Sequence, residues 1–199
     1  MKKYFCIGLL LCSLMGFSQN IKGTFEITPV IGVANSNYQS SQKTNTDPVT
    51  TVSFGSYADY YFNDSWSARS GLLYQTMGTQ YRSGNFYTEK LNYLTVPMDI
   101  NWHFGAMRNW NLNVGFCLGF LSSATSNGED VKKFINTTQY GLNYGIGYTF
   151  HINDHFGLLL DFQGMSGLSN VLKSSRNNIS QPTATNLYNS INVGGVFVL

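Results

Sequence analysis

The sequence predicts an all-β fold: an eight-stranded antiparallel transmembrane β-barrel, an up-and-down meander with short periplasmic turns and longer external loops. Three observations predict it. Bulky apolar residues alternate with small or polar ones over runs longer than the strands of soluble sheets. Aromatics make up 15% of the 199 residues against 11% charged, with 20 glycines, a mix that suits a sheet whose exposed face meets something other than water. The connections between runs are alternately short and long.

The chain begins with a targeting pattern. Lys2 and Lys3 form a basic start, Phe5 to Phe17 an apolar stretch, and Gly16-Phe17-Ser18 a small-x-small site. Residues 1–18 therefore read as a cleavable signal peptide and 19–199 as one barrel domain. The apolar stretch is short for a membrane-spanning helix, which needs about 20 residues. A lipid-attachment reading at Cys12 is opposed by Leu11, where a small residue is expected. Loss of Lys2 and Lys3 leaves ten basic and ten acidic residues, so the mature chain is neutral and bulk charge gives no argument for nucleic-acid binding. Cys117 then stands alone, which excludes an intrachain disulfide and multi-cysteine metal sites.

The strands follow in order at about 21–34, 49–62, 66–81, 90–104, 110–121, 137–151, 155–165 and 187–199. The clearest run carries Trp110, Leu112, Val114, Phe116, Leu118 and Phe120 on one parity and Asn111, Asn113, Gly115, Cys117 and Gly119 on the other. Tyr140 to Phe150 repeats it against Gly141, Asn143, Gly145 and Gly147. A bulky set almost without charge reads as the lipid face, and the small or polar set as the lumen. A lipocalin-like barrel would place the bulky parity inward and charge outward. Short turns are expected at Asn63-Asp64-Ser65, Gly105 to Asn109 and Ile152-Asn153-Asp154, and polar external links at 35–48, 82–89, 122–136 and 166–186. Trp66, Trp102, Phe104, Trp110, Phe150 and Phe156 flank the short turns, as an interfacial aromatic girdle would. Pro97 lies inside a strand of a closed sheet, so a bulge or local irregularity is expected there.

By parity Glu26, Asp59, Arg69, Asp99 and Asp161 point inward, with His103 near the periplasmic rim. Buried charges must be paired or neutralised, and eight strands leave room only for side chains. The five residues are therefore expected to form a polar network that plugs the lumen. Pairing Phe62 with Trp66 across a three-residue turn would set Asp59 opposite Arg69. Asn113→Ser, on the inward parity, is expected to be mild.

Several segments resemble an outer-membrane β-barrel family typical of Bacteroidota, PorT-like or porin-family. Tyr93-Leu94-Thr95-Val96-Pro97 is similar to its Tyr-Leu-x-Ile/Val-Pro strand, Gly71-Leu72-Leu73-Tyr74 to its Gly-Leu-x-Tyr segment, and Gly167-Leu168-Ser169-Asn170-Val171 to its late Gly-Leu-x-Asn-Ile motif. Gly32-Val33-Ala34-Asn35 matches the Gly-rich opening loosely. The terminal Gly195 to Leu199 resembles the signal read by barrel-assembly machinery, although that signal usually ends in Phe. The resemblance implies a fold and a membrane and assigns no activity.

Chemistry is sparse. His151 and His155 flank a turn without a carboxylate on the same face, a poor metal site. No histidine is expected on a strand face with a serine and an acid at matching height, so no catalytic residue, cofactor or metal is assigned. The expected partners are outer-membrane lipid and, during biogenesis, the assembly machinery; the barrel is expected to be a monomer that serves as a structural or surface-interaction platform. A narrow pore for ions or small solutes and an accessory role in secretion are the alternatives.

Overall fold

A computed structural model describes residues 22–40, 46–83, 85–173 and 183–199. The segment read as a signal peptide lies outside the described residues. Nine strands form among the described residues: β1 (Phe25–Ser40), β2 (Thr46–Asn63), β3 (Trp66–Ser83), β4 (Asn85–Phe104), β5 (Trp110–Ser126), β6 (Glu129–Asp130), β7 (Thr138–Asn153), β8 (Phe156–Gly167) and β9 (Ala184–Val198). All except β6 are staves of an antiparallel meander. It closes where β1 pairs with β9, with Ile27 opposite Phe197 and Ser40 opposite Ala184. No sheet edge is left along these staves, which is what a sheet in hydrocarbon requires. Among the described residues no helix is long and apolar enough to cross a membrane, which says nothing of a barrel that crosses with strands.

The alternating burial matches the two faces read from the sequence. Val114 is 62% exposed and Phe116 60%, while Asn111 and Asn113 are 1% exposed on the inside. On β3 to β5 the outward apolar band runs from Trp66, Trp102 and Trp110 up to Tyr74, Leu94 and Phe120. That is the span of about 9–11 residues needed by a tilted transmembrane strand. Above it the outward face turns polar on neighbouring strands: Asn35, Thr50, Thr76, Asn92 and Ser123. Three side-chain hydrogen bonds tie this border together, Thr50 to Asn35 (2.9 Å), Thr76 to Asn92 (2.7 Å) and Asn92 to Ser123 (2.8 Å). A bulge marks the same level, where Asn92 faces Ser123 but Tyr93 faces Leu121, leaving Ser122 as an extra residue.

The staves do not stop at the border. β3 continues to Ser83, just past the expected end at 81, and β4 begins at Asn85, well before the expected start at 90. The predicted polar links 35–48, 82–89 and 122–136 are thus partly ladder. Polar side chains there hid the strands, because outside the bilayer the outward face meets water. The turn Gly105 to Asn109 is closed by Phe104 and Trp110 as expected, while the other two short turns are tighter. Asn63 pairs with Trp66 and Asn153 with Phe156, leaving two-residue turns with Phe62 and Ile152 as extra residues. In each, the Asn side chain accepts a backbone N–H two residues on, at 2.9 Å (Asn63 to Ser65, Asn153 to His155).

Pro97 causes no bulge. Ser70 pairs with Met98 and Leu73 with Thr95, so the β3–β4 ladder passes over the proline without changing register. The Ser70 hydroxyl donates to the Pro97 carbonyl at 2.8 Å, which compensates locally for the interrupted ladder.

Candidate functional site: a lumen filled on two storeys

The lower storey lies within the membrane band. Glu26, Asp59, Arg69, Asp99 and Asp161 are all buried there, none more than 6% exposed. Register places Asp59 opposite Arg69, and the Arg69 Nε donates to Asp59 at 3.0 Å. The route differs from the expected one, since Asn63 rather than Phe62 closes the turn and the bulged Phe62 restores the count. Arg69 also lies opposite Asp99 on β4 and stacks its guanidinium over Tyr57, 5.0 Å from the ring centre.

Neutral side chains do most of the satisfying. Asp59 accepts from Ser67 at 2.7 Å and Asn101 at 3.1 Å. Asn113 and Gln163 exchange two amide bonds, of 3.0 and 2.9 Å, while Asn113 reaches Asp99 and Gln163 reaches Asp161. Asn113 is therefore a buried network member, which overturns the expectation that Asn113→Ser is mild. The inward glycines of β5 and β7 make the room. A Cβ on Gly147 would lie 2.8 Å from Asn111 and 2.9 Å from Asp161, and one on Gly145 would overlap the Gln163 amide. The Gly/Asn parity read from the sequence is thus a packing requirement. A small cavity of about 20 Å³ remains beside Thr95, Asp99, Asn143 and Gln163.

A serine, a histidine and acids do meet here, contrary to the sequence expectation. Ser67 Oγ lies 3.0 Å from His103 Nε2, and Tyr61 links His103 Nδ1 (3.3 Å) to Glu26 (3.1 Å). Parity counting missed this because the four residues come from different strands and only register brings them level. The arrangement is not that of a nucleophile. Ser67 is 0% exposed and gives its proton to Asp59, so it has neither access nor a free hydroxyl. His151 meets Asn109 at 3.1 Å rather than His155. No group of metal-binding side chains forms among the described residues.

The upper storey was not foreseen. At and above the polar border an apolar cluster fills much of the interior: Met77, Leu91, Tyr93, Leu121, Met165 and Tyr188 pack together, beside the buried polar Ser36, Thr79, Gln139 and Asn186. The faces invert because these staves have left the bilayer, so water is now outside and the interior packs as an ordinary core. Two external connections close the top. Ile135 and Val171, each 2% exposed, insert into the cluster. Ile135 bridges Leu172, and the Asn136 amide donates to the Asn170 and Leu172 carbonyls at 2.8 and 3.1 Å.

Around the lower rim the rings run as a chain. Trp66 and Trp102 centroids are 6.0 Å apart, Trp102 and Phe104 4.8 Å, and Phe104 and Trp110 6.3 Å. Tyr148, which the sequence reading omitted, links Trp110 to Phe150 at 4.9 and 4.6 Å. Phe156 lies 5.2 Å from Phe197, where the barrel closes.

The sequence matches the family described as outer membrane protein beta-barrel domain over residues 5–194. The chain belongs to this family, and it is an integral outer-membrane barrel. Its fold is similar to that of OprG from Pseudomonas aeruginosa, with a TM-score of 0.61 at 12% identity, covering 90% of this chain and 98% of that one. Neisserial surface protein A (TM-score 0.53, 16% identity, 88% and 99% covered) and outer membrane protein W of E. coli (0.51, 12%, 89% and 99%) are similar too. At these identities the likeness is one of fold. No curated protein sequence matches the chain.

Proposed function

We propose that the barrel is a sealed, monomeric membrane anchor that carries a rigid external platform, exported by cleavage of residues 1–18 and inserted by barrel-assembly machinery through its terminal strand. The observation that carries this reading is the doubly filled lumen: a hydrogen-bonded polar storey beneath an apolar storey closed by Ile135 and Val171. A pore would need an open polar path, and at the upper level packed Met, Leu and Tyr side chains leave Gln139 and Asn186 buried and bonded to each other at 2.6 Å rather than lining a channel. The external staves support the platform role, since ladder pairing holds the surface they present to a partner. The motifs around Tyr93 to Pro97 and Gly167 to Val171 favour the PorT-like branch of the family.

The test is liposome swelling with the purified, folded protein and a series of amino acids and small sugars. Swelling no faster than protein-free liposomes is expected; size-dependent swelling would replace the anchor by a pore.

A further inference from the structure

Between β6 and β7 the chain makes a 3-10 turn, Lys132–Phe134, just above the polar border of the lipid face. Lys132 Nζ donates to the Ser122 carbonyl at 2.7 Å. Ser122 is exposed immediately above Phe120, the top of the β5 apolar band, so this ammonium is pinned at headgroup height on the outside of the wall. It retains two further N–H donors. Lys133 Nζ sits 4.8 Å from the centre of the Phe134 ring, and Phe134 is 57% exposed. Lys173, exposed in the β8–β9 connection, is tied beside the turn by its backbone N–H, which donates to the Phe134 carbonyl at 2.9 Å. Among the described residues the ion pairs are Arg69–Asp59 and Arg108–Asp64, so none of the three lysines has a carboxylate partner. Asp130, the acid nearest in sequence, spends a carboxylate oxygen on the Lys132 backbone N–H at 2.8 Å.

The geometry points to a headgroup site for a phosphate-bearing lipid of the outer leaflet, with Lys132, Lys133 and Lys173 as the cationic cradle and Phe134 as its apolar flank. This inference rests on the outer-membrane placement of the barrel. Charge complementarity selects the occupant: three lysines outside any ion pair outnumber the neighbouring acids Glu129 and Asp130, the Lys132 ammonium stands where lipid phosphates lie, and Lys serves phosphate as a mobile point charge. An exposed aromatic beside them suits a ligand that continues into acyl chains rather than a free ion.

The folded protein in maltoside micelles is mixed with diphosphoryl lipid A, and the bound lipid is counted by native mass spectrometry. The wild type is expected to retain the lipid. The Lys132→Gln/Lys133→Gln/Lys173→Gln variant should lose it on the order of a hundred-fold, three contacts at roughly five-fold each. Heat-modifiable migration of both proteins confirms that each is folded, and outer-membrane fractionation reports the placement independently. Should the triple variant misfold, Lys133→Gln/Lys173→Gln, which leaves the Lys132 bond to Ser122 in place, still has to weaken retention. Equal retention by the folded variants, equal retention of lipid A stripped of its phosphates, or complete displacement by excess inorganic phosphate would each overturn the proposal.

Discussion

Asp59 and Arg69 show what one buried charge demands of its neighbours. The pair is nearly inaccessible, so truncating either side strands the other charge inside the wall. Asp59→Asn and Arg69→Gln should each cost about 3–5 kcal/mol in the unfolding free energy measured in lipid. Their double-mutant cycle should couple by more than about 0.5 kcal/mol, below which the sites act independently. Asn113 belongs to the same logic. Asn113→Ser breaks the paired amides with Gln163 and should cost roughly 1–3 kcal/mol by the same unfolding assay. Above the membrane, burial holds the Glu89 carboxyl above its usual range. Its ionised form is therefore disfavoured by folding, a cost that is absent in acid and grows as pH rises through the folded-state value. Glu89→Gln should raise the thermal midpoint at alkaline pH and leave it unchanged in strong acid.

At the scale of strands, the two faces are set by period-2 alternation and are sensitive to charge in opposite ways. Val114→Arg and Leu158→Arg place a cation in the apolar band and should each cost about 2–4 kcal/mol, read from folding into vesicles. Tolerance equal to that of border positions such as Thr76 would mean the band is misplaced. Gly147→Ala should also impair folding although it adds one methyl, since Asn111 and Asp161 already fill that space. These faces were legible in the sequence because lipid forbids exceptions: every outward residue from Trp110 to Phe120 on one parity is bulky and apolar. The strand ends were not legible above the border. There Thr76, Asn92 and Ser123 face water, and the inward Met77, Leu91 and Leu121 interrupt the expected small-inside rule. The turns misled in a smaller way. A bulge at Phe62 leaves parity unchanged, so the Asp59–Arg69 register follows from either turn.

Taken as one molecule, the chain is a wall with two different solvents and a filling matched to each. Inside the bilayer the outer face is apolar and the interior holds the charged network beside a small apolar group of Val30, Tyr57, Leu73, Leu159 and Val196; beyond it the outer face turns polar and the larger apolar cluster lies inside. Sequence parity captured the first regime and placed Glu26, Asp59, Arg69, Asp99 and Asp161 in one lumen. It missed the Ser67–His103 contact and the Ile135–Val171 cap, because both depend on which residues of distant strands and loops come level. The cap separates a plug that merely narrows the lumen from a barrel closed at two heights. Single-channel recording of the folded wild-type protein in planar bilayers tests that closure most directly. The doubly filled lumen predicts a baseline indistinguishable from the protein-free bilayer at every holding potential; discrete, reproducible unitary openings would contradict it.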